Sequence, residues 1–457
     1  MAKKFDVIII GSGPGGYVAA SRLSKDKKVA IIEASHLGGT CLNRGCIPTK
    51  ALLHSSEIVH SISHAKDHGI ATGKVTIDMN KMISRKNEVV KKLRTGIAGM
   101  MKAGKVEVFN GTGKFMGTNN VTITAADGAT ETIEADNIII ATGTEPFIPG
   151  FLPQDRKKVI TSDELLDLTD VPKSIVVVGG GVIGCEFATM LSELGSKVTV
   201  VEMADRILPM ADKDISRGLT KEFKSRGIDV FAGVAVDAMN ETKKGVSTKL
   251  NNGETLETSL ALVCIGRRPL TENLGLATAG VKCEKGFVEI NENCRTNIGN
   301  IYAIGDVTGK VQLAHVAYRQ AAVAANTILG NPETENYNIV PAAIYTHPEI
   351  AWVGLNEEEA KAKGIKIKKA STHMMTNGLA LAYEATNGFV KILANEDDEI
   401  IGAHIMAPHA SDAIQEVAVL MKSECTIYEL EATIHGHPTF VESIADAASK
   451  LLGKGGH

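Results

Sequence analysis

Aromatic residues are scarce in this chain: they make up 4% of 457 residues, with a single tryptophan, Trp352. Proteins that bind single-stranded nucleic acid stack bases on such side chains, so that class is excluded. Excess positive charge is missing too, since the formal net charge is −4. The basic run Lys91-Lys92-Leu93-Arg94 reads as a solvated helix face rather than a polyanion site. No apolar run approaches the ~20 residues that span a bilayer. Lys3 and Lys4 precede Val7-Ile8-Ile9-Ile10, but Gly11-Ser12-Gly13 cuts that run short of a signal-peptide core. A cytoplasmic location is expected. Cysteine is sparse, seven in the whole chain, which excludes a disulfide scaffold. In a reducing compartment a close cysteine pair is more often redox-active or metal-binding than structural. The length implies two to four domains.

What is present is an internal repeat. Val7-Ile8-Ile9-Ile10 reads as a strand, Gly11-Ser12-Gly13-Pro14-Gly15-Gly16 as a turn, the stretch through Val18, Ala19 and Leu23 as a helix, and Val29-Ala30-Ile31-Ile32 as a second strand ending in Glu33. The pattern returns from Ile175 to Val178, through Gly179, Gly181 and Gly184, a helix with Phe187, Leu191 and Leu194, and Val198-Thr199-Val200-Val201 ending in Glu202. Continuous Val/Ile runs bounded by glycine suit parallel strands buried on both faces. Each unit closes on a similar strand and turn: Ile138-Ile139-Ile140 with Thr142 and Gly143, and Leu262-Val263-Cys264-Ile265 with Gly266. A Gly-x-Gly-x-x-Gly turn lets backbone approach a pyrophosphate at a helix start. The acid at the end of the second strand accepts from ribose hydroxyls. Two dinucleotide-binding units in tandem follow. Glu202 favours NAD over NADP because a carboxylate repels a 2′-phosphate, and nearby Arg206 reads as a solvated surface residue.

After Glu33 comes Gly38-Gly39-Thr40-Cys41-Leu42-Asn43-Arg44-Gly45-Cys46-Ile47-Pro48-Thr49-Lys50. In an ideal helix Cys41 and Cys46 have Cα atoms roughly 8.6 Å apart. A disulfide tolerates at most ~7 Å. A bridge therefore needs a distorted turn, which Gly45 and Pro48 permit, and a strained accessible bridge exchanges readily with thiols. Two inert thiols or half a metal site are the alternatives. Cys185, Cys264, Cys283, Cys294 and Cys425 read as small core or surface residues. Residues 81–103 read as a long amphipathic helix, Ile301-Tyr302-Ala303-Ile304-Gly305-Asp306 as a further dinucleotide-type element, Ala314 to Leu329 as a helix, and Phe389 to Leu393 as a strand. Only Gly453-Lys454-Gly455-Gly456 reads as disordered.

The run Gly38 to Lys50, the paired glycine turns, Gly305-Asp306-Val307, and His435-Gly436-His437-Pro438-Thr439 with Glu442 together resemble the pyridine nucleotide–disulfide oxidoreductases that carry FAD. The resemblance covers essentially the whole chain, in order. It implies an α/β fold: two tandem Rossmann-like dinucleotide-binding domains, for FAD and NAD, plus a C-terminal α+β dimerisation domain. The domains are then 1–146 (FAD, first part), 147–268 (NAD), 269–340 (central, completing the FAD site) and 341–457 (interface). Cys41 to Leu53 is most similar to the members that reoxidise dihydrolipoamide. The implied activity passes electrons from protein-bound dihydrolipoamide through Cys41 and Cys46 and FAD to NAD. The alternative is an NADH-dependent reductase of another small thiol. Implied partners are a second copy of the chain, and the lipoyl domain and acyltransferase subunit of 2-oxo acid dehydrogenase complexes. Arg44 departs from the valine of many relatives.

The resemblance also implies roles. Cys41 is the interchange thiol and Cys46 the thiol against the flavin. His437 is the acid–base, supported by Glu442, and His435 faces away. Lys50 pairs with the flavin and Glu186 with Lys50. Asp306 holds the flavin ribityl chain, and Gln312-Leu313-Ala314-His315 start a helix at its pyrimidine end. Gly113 and Thr142 to Thr144 are adenine-side contacts. Gly11, Gly13, Gly16 and Glu33 serve FAD, and Gly179, Gly181, Gly184, Glu202 and Gly266 serve NAD. No metal ligand is expected.

Overall fold

The structure is a computed structural model and describes residues 2–455, so Gly456 of the expected tail lies outside the described residues. The chain divides into two compact units. The first gathers the segment up to Leu52, Asn80–Phe147 and Gly266–Tyr337; the second gathers Leu53–Met79, Ile148–Ile265 and the chain from Asn338 onward.

In the first unit, Glu107–Asn110, Val29–Glu33, Lys3–Ile10 and Thr130–Ile140 lie side by side and parallel, and Ile301–Ala303 also pairs with Thr130–Ile140. The sheet continues through Asn120–Thr124 and Thr112–Phe115, which run antiparallel. Strand periodicity sends alternate residues to opposite faces. Val7, Ile9, Ile31 and Ile139 pack in one layer with Ala19, Ala20, Leu23, Ala321 and Val323 of the helices Pro14–Leu23 and Ala314–Ile328. Ile8, Ile10, Ile32, Ile138 and Ile140 pack in the other, with Phe115, Val121 and Leu276. Both faces are dry, which is why these strands have no polar alternation.

The second unit holds another parallel sheet, in the order Asp229–Ala232, Lys197–Glu202, Ser174–Val178, Leu260–Val263, Val159–Ile160. Its C-terminal part is an antiparallel sheet in the order Ala342–Ile344, Ile350–Gly354, Ile400–Met406, Phe389–Ala394, Lys368–His373. The helices Ala410–Lys422 and Glu442–Leu451 cover it with Ile414, Val417, Ile444, Ala447 and Ala448. Leu53–Met79 groups with this unit, although the sequence places it inside 1–146. Ser56 explains the grouping: its hydroxyl donates to Glu193 at 2.6 Å, a contact across 137 residues.

Candidate active site

The two glycine turns are built alike. A Cβ on Gly16 would lie 2.0 Å from the Gly11 carbonyl oxygen, and one on Gly184 would lie 1.9 Å from that of Gly179. Gly11 and Gly179 have φ of +102° and +108°, a region that L side chains avoid. Gly13 and Gly181 differ: a Cβ there meets nothing nearer than 4.0 Å, so packing within the chain does not demand glycine. Both are N-caps of helices, Pro14–Leu23 and Val182–Glu193, that have neither a side-chain cap nor an acid in the first turn. The helix Ala314–Ile328, preceded by Gln312 and Leu313 and carrying His315, also begins without a side-chain cap. Capping boxes close three other helices, at Thr161, Asn356 and Thr426, while Gly39–Arg44, Ala410–Lys422 and Glu442–Leu451 also begin without a side-chain cap. Uncapped helix starts leave N–H donors and a positive dipole end for an anion.

Each second strand delivers its acid back to its own turn. Glu33 accepts from the Ser12 N–H at 3.0 Å, the Ser12 hydroxyl at 2.5 Å and the Ser35 N–H at 2.7 Å. Glu202 accepts from the Gly180 and Ala204 N–H groups, both at 2.7 Å. Arg206 is not the solvated residue expected from sequence. It pairs with Asp205 and Glu358, and its side chain is only 21% exposed. Its charge is therefore committed within the chain.

The cysteine pair sits where two helices meet. Gly39–Arg44 ends at Gly45, and Cys46–His64 begins at once. Gly45 takes φ −141° and ψ −115°, and a Cβ there would lie 3.2 Å from the Cys41 Cα. That break removes the helical separation of the two cysteines. Both are thiols, and their side chains are hydrogen-bonded to one another. This bond, with burial, pushes the Cys41 thiol well up, while the Lys50 ammonium pulls it down. Asn43 holds the short helix by donating to the Gly39 carbonyl at 2.9 Å, and Arg94 donates to the Asn43 side-chain oxygen at 2.7 Å. Arg94 therefore does more than line a wet helix face. Arg44 is exposed.

Behind the first turn, Thr142 Oγ1 is buried without a hydrogen-bond partner, and Gly143 at φ +70° faces open space. Thr144 donates to Asp306 at 3.0 Å and accepts from Arg267 at 2.7 Å. Burial raises the Asp306 pKa, opposed by Thr144 and Arg267. Gly266, which follows the strand Leu260–Val263 and opens the last segment of the first unit, takes φ +150° with nothing within 4 Å of a Cβ. Glu186 is buried and accepts from the Tyr345 N–H at 3.0 Å. Gly113 has a packing reason of its own: a Cβ would press on Ile10, Ile32 and Val121 at 3.2–3.3 Å.

Near the C-terminus His437 Nδ1 lies 2.8 Å from Glu442 Oε1, and the Thr439 N–H donates to Oε2 at 2.7 Å. Burial raises the Glu442 carboxyl, but the Thr439 and His437 hydrogen bonds outweigh it and hold its pKa low. The two histidines differ. His435 is turned inward onto Glu416 at 2.7 Å with 8% of its side chain exposed, whereas His437 is 79% exposed.

The orphaned Thr142 hydroxyl, the open space at Gly13 and Gly181, and the uncapped helix starts fit dinucleotide cofactors in both units. Sequence reasoning missed Ser12, Arg94 and Arg267. Ser12 was legible as a hydroxyl within the turn. Arg94 acts on a residue 51 positions away, and Arg267 on one 123 away, so neither left a local signal. Among the described residues, no helix is long and apolar enough to cross a membrane.

Residues 5–321 match the family model described as pyridine nucleotide-disulphide oxidoreductase, and residues 340–448 match that family's dimerisation domain. The dihydrolipoyl dehydrogenase of Bacillus subtilis is 42% identical, with all of both chains covered. That of Geobacillus stearothermophilus is 40% identical over 98% of this chain and 96% of its own. Among solved structures, LpdA from Mycobacterium tuberculosis has a TM-score of 0.92 at 31% identity, covering 98% of this chain and 100% of that one. The HOCl-induced flavoprotein disulfide reductase RclA from Escherichia coli has a TM-score of 0.87 at 28% identity, covering 97% and 99%. With its tandem glycine turns, its facing thiols and its family-length match, the chain belongs to the pyridine nucleotide-disulphide oxidoreductases.

Proposed function

We propose that the chain is a dihydrolipoyl dehydrogenase, taking electrons from a protein-bound dihydrolipoyl group through Cys41 and Cys46 to NAD+. The meeting of the two thiols across the Gly45 break carries this reading. Full-length likeness to dihydrolipoyl dehydrogenases supports the substrate. FAD and NAD, when bound, supply the two-electron relay from thiols to nicotinamide. Gly11, Gly13, Gly16, Glu33, Thr142 and Asp306 would hold FAD. Gly179, Gly181, Gly184 and Glu202 would hold NAD.

The protein's own part is proton and sulfur chemistry. Glu442 accepts only, so it fixes the proton of His437 on Nδ1 and leaves Nε2 as the base. Nε2 takes a proton from the substrate thiol, because only the thiolate attacks a disulfide. The thiolate bonds to Cys41 of the oxidised pair, and the Cys41–Cys46 bond breaks with Cys46 leaving as thiolate. The second substrate thiol then attacks its partner sulfur in the mixed disulfide, its proton passing to the departing Cys41 sulfur. Cyclic disulfide departs, and both electrons of the dithiol remain on Cys41 and Cys46. The Lys50 charge favours the thiolate state.

The exposure of His437 supports a base that completes the site of a second subunit in a homodimer. Co-expressed Cys41→Ser and His437→Gln chains should regain lipoamide turnover that neither homodimer has, since each heterodimer contains one intact pairing. Heterodimers without activity would contradict the shared site. The reading extends to a lipoyl domain and acyltransferase subunit as partners. It also extends to the cytoplasm, a reducing compartment in which close thiols cycle rather than staple. Steady-state rates with NADH and NADPH against lipoamide and glutathione disulfide test the substrate. A preference for glutathione disulfide would overturn it.

A further inference from the structure

Three histidines of the second unit neighbour one another through His60. His60 and His64 lie one helical turn apart on Cys46–His64, the spacing that puts two side chains on one helix face. The His60 ring centroid is 4.4 Å from that of His64 and 4.4 Å from that of His347. The rings are tilted by 49° and 57°, so neither pair is stacked flat. Two imidazoles bound to one tetrahedral ion have centroids about 5 Å apart, given metal–nitrogen distances of about 2 Å. His60 thus stands at ligand-pair spacing from each of the other two, while the donor nitrogens of all three do not lie within 4.8 Å of one another, so a bound ion would draw His64 and His347 together by side-chain rotation.

Hydrogen bonds set which nitrogens are available. His347 Nδ1 faces Glu193 Oε1 at 3.4 Å, and the carboxylate can only accept. His64 Nδ1 lies 3.0 Å from the His60 carbonyl oxygen. Both contacts put the proton on Nδ1 and leave Nε2 as a ligand, the arrangement found behind most metal-bound histidines. Glu193 is itself fixed: its side chain is 4% exposed, and it accepts from Ser56 at 2.6 Å and from Arg226 at 3.1 Å. Arg226 also pairs with Glu222 at 2.7 Å.

We propose that His60, His64 and His347 form a site for one divalent late transition-metal ion, with zinc as the representative, and that Glu193 orients His347. Imidazole donors suit zinc and its neighbours rather than magnesium or calcium. Three histidines leave a fourth tetrahedral position for water or an outside ligand. The acidic trio Asp212, Asp214 and Glu357 is different, because the Lys391 ammonium already fills it, 2.9 Å from Asp212 and 2.8 Å from Asp214.

The test is equilibrium dialysis of the tag-free, oxidised holoprotein against chelator-buffered zinc chloride, with elemental analysis. Wild type and Cys41→Ser/Cys46→Ser should each bind one tight equivalent per chain. His60→Ala/His64→Ala should bind at least about tenfold more weakly while keeping its flavin and turnover. Glu193→Gln should lose about tenfold, as loss of an outer-shell carboxylate does. X-ray absorption at the zinc edge should show nitrogen or oxygen only. The site is overturned if wild type binds no zinc, if the histidine variant binds as wild type does, if the cysteine variant loses the ion, or if a sulfur shell appears near ~2.3 Å.

Discussion

The glycine turn of the first unit and that of the second have the same backbone and different acids. Glu33 is 9% exposed and receives three hydrogen bonds, one from the Ser12 hydroxyl. Glu202 is only half-buried and receives two, both from backbone. Where the first turn has Ser12, the second has Gly180, and a Cβ there would lie 2.7 Å from Ile207. The first acid is locked into its sheet. The second is held in place but open to solvent. On the proposed reading, one nucleotide fold thus serves a resident cofactor at the first turn and an exchanging one at the second, and the two differ in the dressing of the carboxylate.

The harshest way to break this comparison is to fill the third glycine. In Gly16→Ala and Gly184→Ala the new methyl group meets a carbonyl oxygen, an overlap costing about 3 kcal/mol or more. Gly16→Ala should purify without yellow colour, seen as loss of absorbance near the flavin band. Gly184→Ala should stay yellow and lose about 100-fold or more in kcat/KM for NADH. Both variants losing only flavin would mean that the second turn is not the nicotinamide seat.

Neutralising the acids sharpens the contrast. Glu33→Gln removes charge from a buried acceptor of three donors and should cost about 2 kcal/mol of stability, measured by urea unfolding of the holoprotein. Glu202→Gln should leave stability nearly unchanged and raise KM for NADH about tenfold, with kcat preserved. Equal stability losses would erase the distinction drawn above. Ser12→Ala should cost less, about 1 kcal/mol, because it removes one donor and leaves two.

A pH scan gives the smallest effect. Burial first, then the His347 and Arg226 charges, push His60 in the second unit down to about 4. Its folded pKa lies below the unfolded value near 6.5, so the unfolded chain binds the extra proton. The contribution is complete above about pH 6.5 and is lost as the pH falls towards 4. His60→Gln should flatten the dependence of Tm between pH 7 and 4.5, and an unchanged slope would contradict the assignment.

The strands and turns were legible because their causes are local. Val/Ile runs bounded by glycine have few other homes, and the expected helix 81–103 runs from Met79 to Ala103. The cysteine pair was legible as a geometric problem, with Gly45 as its solution. What the sequence hid are the parts made by distant partners. Arg94 was read as solvated, and Asn43, which it holds, is far along the chain. Arg206 reads as a solvated surface residue, and Glu358 takes its charge from 152 residues away. Gly113 was read as a cofactor contact, and its neighbours Ile10, Ile32 and Val121 give it a packing role that no motif encodes.

The bare starts of Pro14–Leu23, Val182–Glu193 and Ala314–Ile328 have a consequence for how the chain matures. Each ends in donors that no side chain of its own closes. A newly made polypeptide starved of flavin must hydrate them or borrow an inorganic anion. Phosphate or sulfate in the medium should therefore raise the yield of recoverable empty protein, with chloride the poorer substitute.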